Sequence, residues 1–238
     1  MDTAEVWLIR ADVPGRVVNY LQSLLDEREL CRAAGWRWAE RRRYVVAHGA
    51  TRLIVGERLG APPAELRFTY GKHGKPALAG AWTGTHLSLS HSGEFCMLAL
   101  SPHRPVGVDI QHLAAGVEPT SMATRYFPPA EALFVAAAPP GARAAWFARL
   151  WARKEALTKA YGGRLIPGLC VPVSVTRRSI ITWYPSEPSP IPHRLTDIFA
   201  PQGFRAAIAL AGRASFRVRM RRWRWSTDQL KQIEAVDR

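Results

Sequence analysis

Four short segments carry the side chains best suited to chemistry. Val106-Gly107-Val108-Asp109-Ile110-Gln111 alternates like a strand, and Trp151-Ala152-Arg153-Lys154-Glu155-Ala156-Leu157-Thr158-Lys159-Ala160 has helical spacing. Residues two apart on a strand project to one side, so Asp109 and Gln111 point together while Val108 and Ile110 turn to a core. Residues four apart on a helix share a face, which groups Trp151, Glu155 and Lys159. A helix crossing the strand end would bring oxygen ligands from Asp109, Gln111 and Glu155 to one point. Two carboxylates and an amide oxygen suit a hard cation, magnesium or manganese, which keeps waters and takes phosphate oxygens from a substrate. Alone, Asp109 also reads as the end of a strand, and Glu155 with Lys159 as a solvated helix pair.

Two upstream segments add to this. Gly74-Lys75-Pro76 sets a lysine between a flexible and a rigid residue, next to Lys72 and His73. It can hold a phosphate or be an ordinary turn. Ser90-His91-Ser92 crowds hydroxyls and an imidazole at a strand end, as phosphate ligands or around a core histidine. No strand–elbow–helix context surrounds these serines, which argues against a serine hydrolase. The further carboxylates or histidines of a two-metal phosphohydrolase are also missing. Phosphoryl-group chemistry is the leading reading.

These segments need a scaffold, and 238 residues at 47% hydrophobic are enough for a sizeable core, as one domain or two compact halves. Apolar alternation at Val6, Leu8 and Ala11 opens a strand, and helices are predicted over 17–35 and 39–59, the second stopped by Gly60. Residues 87–100 read as a hairpin turning at Ser92-Gly93-Glu94. A second series starts with the strand 106–110, a helical region over 129–138 and a long helix over 142–161 stopped by Gly162-Gly163. Strands follow at 171–175, 180–184, 204–210 and 216–220, with the proline-rich 185–192 as a loop. The order occurs twice, with a join near 102–105. The predicted fold class is therefore α+β, a pseudo-twofold pair of similar halves (1–103 and 104–238), each a long helix packed on a mostly antiparallel sheet.

A formal charge of +14 draws in anions: nucleic acid, an acidic protein or a polyphosphorylated cofactor. Cys31, Cys96 and Cys170 are odd in number and lack zinc spacing, so they read as buried small hydrophobes in a reducing compartment. The acidic start Met1-Asp2-Thr3-Ala4-Glu5 lacks a signal-peptide pattern, and no apolar run reaches a bilayer-spanning length, so a cytoplasmic protein without a membrane partner is expected. The tail 216–225 interleaves arginine with aromatic residues, as single-strand binders do, which makes a basic nucleic-acid-binding protein the alternative function. Its alternation also describes an edge strand with Phe216, Val218 and Met220 inward. Ser226-Thr227-Asp228-Gln229 has the spacing that starts a short terminal helix.

Together, the four motifs resemble the 4′-phosphopantetheinyl transferases of the surfactin-synthetase-activating (Sfp) type. That family has a Gly-Lys-Pro loop, a Ser-His-Ser segment, a Gly-(Val/Ile)-Asp-Ile-Glu strand and a Trp-x-x-Lys-Glu-(Ala/Ser)-x-x-Lys helix. The match spans roughly residues 25–175. The resemblance implies two α+β halves with the site in the cleft between them. It implies magnesium-dependent transfer of the phosphopantetheine arm of coenzyme A to a serine of an acyl or peptidyl carrier protein, releasing 3′,5′-ADP. The first half would hold the adenine and 3′-phosphate, and the second the metal and the catalytic groups. Asp109 and Glu155 would bind the metal, with Gln111 standing where the family usually has Glu. Lys75, Pro76, Ser90, His91, Lys154 and Lys159 would contact the cofactor, and Arg43 its 3′-phosphate. Catalytic roles would fall to Asp109, to Glu155 (or a metal-bound water it orients) as base and to Lys159 at the leaving ADP oxygen. The carrier, from fatty acid, polyketide or nonribosomal peptide machinery, is expected to be acidic. The Tyr126-Phe127-Pro128-Pro129 segment is a candidate patch for it or a buried turn. Nucleic acid is not an expected partner under this reading, and a monomer suffices to build the cleft.

Overall fold

The computed structural model describes residues 1–113, 116–185 and 190–225. Strand β1 (Asp2–Arg10) leads into helices α1 (Gly15–Ser23), α2 (Glu27–Ala34) and α3 (Trp38–Leu59), a short pair β2 (Phe68–Tyr70) and β3 (Pro76–Leu78), and the hairpin β4 (His86–Ser92) and β5 (Phe95–Ser101). Then come β6 (Val106–His112), α4 (Pro119–Tyr126), α5 (Pro129–Ala137), α6 (Pro140–Tyr161), α7 (Leu165–Leu169), β7 (Ser179–Tyr184), β8 (Ile191–Ile198), β9 (Phe204–Ala211) and β10 (Phe216–Trp223). The expected α+β class is observed.

Two four-stranded sheets, ordered β10-β1-β5-β4 and β6-β9-β8-β7, carry the helices on their outer faces. Strand alternation assigns the faces. On β1, Trp7 and Ile9 pack under α1 and α3, while Ala4, Val6 and Leu8 turn to a core shared by both sheets. On β9, Ala207 and Ala209 meet α6, while Ala206, Ile208 and Leu210 turn to that shared core. Val108 and Ile110 of β6 also lie in the shared core, which leaves Gly107 and Asp109 facing α6.

The sheets meet along the edges of β4 and β6 through side chains. The hydroxyls of Ser88, Ser90 and Ser92 accept from the amides of Val108 (3.1 Å), Ile110 (3.4 Å) and His112 (3.0 Å). Alternate β4 side chains therefore replace a backbone ladder at this seam.

Several predicted elements differ. The helix expected over 17–35 is two, because Asp26 forms a capping box with Glu29 and starts a new helix at Glu27. The strand expected at 171–175 does not form. Guanidinium groups from α6 take carbonyls there instead: Arg149 donates to Val175 O at 2.6 Å and Arg153 to Ser174 O. Helix α4 was not anticipated, and its N-terminal amides at Thr120 and Ser121 donate to the Glu118 carboxylate. Of the expected loop 185–192, Ile191 and Pro192 belong to β8. The last strand, placed by sequence with the second half, pairs in parallel with β1 and extends the first sheet. It is an edge strand: Phe216, Val218 and Met220 pack on the shared core, and Arg217 and Arg219 are exposed. The terminal helix expected from 226 lies outside the described residues. Of the cysteines expected to be buried, only Cys96 is; Cys31 and Cys170 are exposed. Among the described residues, no helix is long and apolar enough to cross a membrane.

Candidate active site

The site begins with a missing side chain. A Cβ at Gly107 would overlap the backbone of Ala156 and Ala160, so only glycine lets α6 lie this close on β6. Small residues on the helix complete the fit, with Ala152, Ala156 and Ala160 all buried. Two residues along β6, Asp109 thereby sits beneath the helical turn bearing Glu155 and Lys159.

Lys159 Nζ donates to Asp109 Oδ1 at 2.6 Å and lies 3.4 Å from Glu155 Oε2. The two carboxylates thus converge on one cation. Ser90 Oγ donates to the same Asp109 oxygen at 2.5 Å, while Oδ2 is buried with no hydrogen-bond partner among the described residues. Trp151 Nε1 donates to Glu155 Oε1 at 2.6 Å and fixes that carboxylate on its helix. Burial pushes the Asp109 carboxyl up to about 7, the Lys159 charge opposing and the Glu155 charge adding. For Lys159, burial works against the ammonium, but the two carboxylates outweigh it and hold the group above its ordinary value. An orphaned carboxylate oxygen beside a second carboxylate fits a hard divalent cation, with Asp109 and Glu155 as ligands. Gln111 does not join them: its amide donates to His112 O at 3.4 Å, and its side chain borders a small cleft with Ala144 and Phe147.

A pocket of about 270 Å³ lies beside this cluster, close to the lower end of the range of about 300–1,000 Å³ usual for small-molecule sites. Arg32, Arg43, His48 and His91 supply its basic groups, and Trp36, Tyr44 and Tyr70 its aromatic ones. Gly74 and Pro76 of the Gly-Lys-Pro loop also border it. Among the described residues, neither Arg32 nor Arg43 has an ion-pair partner. His91 links pocket and cluster: its imidazole is lowered by burial, then by the charges of Lys159, His48 and Arg43, with Glu155 opposing.

Three side chains expected at the cofactor are engaged with the protein in this structure. Lys154 is fully buried away from the cleft, paired with Glu131 Oε2 at 2.6 Å and donating to Val171 O at 2.5 Å. Neighbouring helix residues point about 100° apart, so Lys154 faces α5 while Glu155 faces β6. Lys75 spends its ammonium on Val106 O (3.0 Å) and Ala160 O (3.2 Å), where it caps the last turn of α6. Burial pushes it down to about 8. Ser90 has likewise given its only hydroxyl proton to Asp109. In the Tyr126-Phe127-Pro128-Pro129 segment Phe127 is buried, stacking on Phe147 with ring centroids 5.3 Å apart, whereas Tyr126 and Pro128 are partly buried and Pro129 is exposed. Sequence reasoning passed over His48, Tyr44 and Glu29. The capping-box spacing of Asp26 and Glu29 was readable, but nothing local ties Glu29 to the pocket.

Residues 105–210 match a family model described as the 4′-phosphopantetheinyl transferase superfamily. The 4′-phosphopantetheinyl transferase HetI of Nostoc sp. is 30% identical over 218 residues, which is 89% of this chain and 89% of that protein. A putative 4′-phosphopantetheinyl transferase of Synechocystis sp. is 30% identical over 171 residues, 69% of this chain and 67% of its own. The 4′-phosphopantetheinyl transferase AcpT of Salmonella typhi is 36% identical over 114 residues, 48% of this chain and 57% of its own.

Proposed function

The chain belongs to the 4′-phosphopantetheinyl transferase superfamily, and on that premise we propose that it transfers the phosphopantetheine arm of coenzyme A to a serine of an acyl or peptidyl carrier protein, with release of 3′,5′-ADP. The observation carrying this reading is the convergence of Asp109, Glu155 and Lys159 beside a basic, aromatic pocket. The aromatic groups suit the adenine, and Arg43 with its neighbours suits the 3′-phosphate. His91, which borders the pocket and lies near the cluster, would meet the cofactor's phosphates. The reading includes the surfactin-synthetase-activating type, with the first half as the adenine side and the second as the catalytic side.

Asp109 and Glu155 would hold magnesium, or manganese in its place, with Gln111 acting at most through a water. When bound, that cation neutralises pyrophosphate charge, which is most of what phosphoryl transfer requires. The protein's own groups supply the rest. Glu155, oriented by Trp151, would take the proton from the carrier serine directly or through a water it orients, and Lys159 would stabilise the departing ADP oxygen. The net charge of +14 favours an acidic carrier and makes association salt-sensitive. A monomeric, cytoplasmic enzyme is part of the proposal. The test is incubation with coenzyme A, magnesium and a panel of apo-carriers from fatty acid, polyketide and nonribosomal peptide systems. A mass gain of one phosphopantetheine on a carrier serine supports the reading, and its absence from every carrier overturns it.

A further inference from the structure

A further cavity, of about 640 Å³, opens at one end of the first sheet, where β1 finishes at Arg10, β5 starts at Phe95 and β10 finishes at Trp223. Phe199 and Pro201, between β8 and β9, border it from the second sheet. Its volume falls inside the range of about 300–1,000 Å³ usual for small-molecule sites. It shares no lining residue with the pocket beside Asp109. The two also open on different sides of the sheets. Leu8 and Phe95 of this lining turn inward to the core shared by both sheets, whereas Asp109 turns outward to α6.

Its lining is aromatic and cationic. Phe95, Phe199, Trp223 and Trp225 present rings to it, and Phe199 is 51% exposed, an apolar surface that the fold leaves half uncovered. The charged groups are lopsided: Arg10, Arg222 and Arg224 stand against Asp12 alone. Arg10 accounts for that carboxylate by donating to Asp12 Oδ2 at 3.3 Å. Arg222 lies over the Phe199 ring, 5.9 Å from its centroid, and among the described residues neither Arg222 nor Arg224 has an ion-pair partner. Two uncommitted guanidinium groups suit a carboxylate, sulfonate or phosphate, which they can bind through paired hydrogen bonds. The rings beside them suit a flat apolar body that stacks or meets them edge-on. We propose that this cavity is a second binding site, for a small planar aromatic anion. The Arg222-Trp223-Arg224-Trp225 tract, where arginine alternates with tryptophan, supplies most of the recognition. The inference does not rest on the coenzyme A reading, because none of these residues belongs to that pocket or to the Asp109 cluster.

The test is isothermal titration of the full chain with 2-naphthoate, with naphthalene-2-methanol as the uncharged comparison and decanoate as the flexible one. Naphthoate is expected to bind about tenfold tighter than the alcohol, the size of one charge-assisted hydrogen bond, and tighter than decanoate. Arg224→Ala should weaken naphthoate about tenfold and leave the alcohol nearly unaltered. Phe199→Ala should weaken both aromatic ligands about fivefold. Both side chains are exposed, so neither variant should melt far from wild type. Saturating coenzyme A should leave naphthoate binding unchanged. The assignment is overturned if wild type does not bind naphthoate, binds the alcohol or decanoate as tightly, or loses no affinity in either variant. Displacement by coenzyme A also overturns it, by placing naphthoate in the cofactor pocket. A single-stranded decathymidylate that displaces naphthoate from wild type and binds neither variant would give the cavity to a nucleic-acid strand instead.

Discussion

Lys159 and Asp109, 50 positions apart in the chain, meet through a 2.6 Å charge-assisted hydrogen bond. The Lys159 ammonium also faces Glu155, so it occupies the place between two carboxylates where the reading puts the charge-neutralising centre.

Asp109→Ala and Glu155→Ala are each expected to lower carrier modification by on the order of a thousandfold, since each removes a group acting on transition-state charge. Gln111→Glu is expected to keep transfer. Carrier mass gain with coenzyme A and magnesium is the measurement. Normal turnover by Asp109→Ala would remove the metal assignment.

Gly107→Ala should push α6 off β6, because the added Cβ overlaps backbone at Ala156 and Ala160. Overpacking of this kind costs about 1–3 kcal/mol, and the helix shift should also misplace Glu155 and Lys159. Reduced denaturant midpoint together with strongly reduced kcat is expected. Unchanged kcat in folded Gly107→Ala would show that the close approach does not position the site.

Lys154→Met should destabilise by about 3–5 kcal/mol, the loss typical when one partner of a buried pair is removed, by leaving Glu131 without its counter-charge. Adding Glu131→Gln should restore much of this, because the amide oxygen can still accept from Val173 N. Transfer per folded molecule should be unchanged in both. A raised KM for coenzyme A in the folded double variant would return Lys154 to the cofactor.

Lys75 links stability to alkaline pH. Its ammonium sits near 8 when folded against 10.5 ordinarily, because burial disfavours the charge. Between those values the unfolded chain binds more protons than the folded one, so stability relative to Lys75→Met rises with pH through that window and is lowest below it. Urea midpoints of the two proteins at low and high pH within the window measure the difference. Wild-type stability that, measured relative to Lys75→Met, stays constant or falls as pH rises through the window would show that burial does not disfavour the Lys75 charge.

Local periodicity was enough to make much of this legible. The alternation of 106–111 put Val108 and Ile110 in the core and Asp109 on the opposite face, and the four-residue spacing of Trp151, Glu155 and Lys159 put them on one helix face. These follow from covalent geometry, which repeats every two residues in a strand and about every 3.6 in a helix. Other assignments needed the tertiary structure, because they depend on what arrives from elsewhere in the chain. Lys154 and Glu155 are neighbours with the same helical propensity, and only the position of α5 decides that one pairs with Glu131 and the other with Lys159. The alternation of 216–220 marked a strand but could not choose its sheet; the open edge of β1 did. Lys75 and Ser90 read as phosphate ligands by residue type, yet the unpaired edge of β6 and the last carbonyls of α6 claimed their hydrogen bonds first. The contact of His48 with Glu29 carried no local signal, since that carboxylate sits on another helix. A sequence sets which way each side chain points along its own element, and the packing of elements sets which polar groups are left over for a ligand.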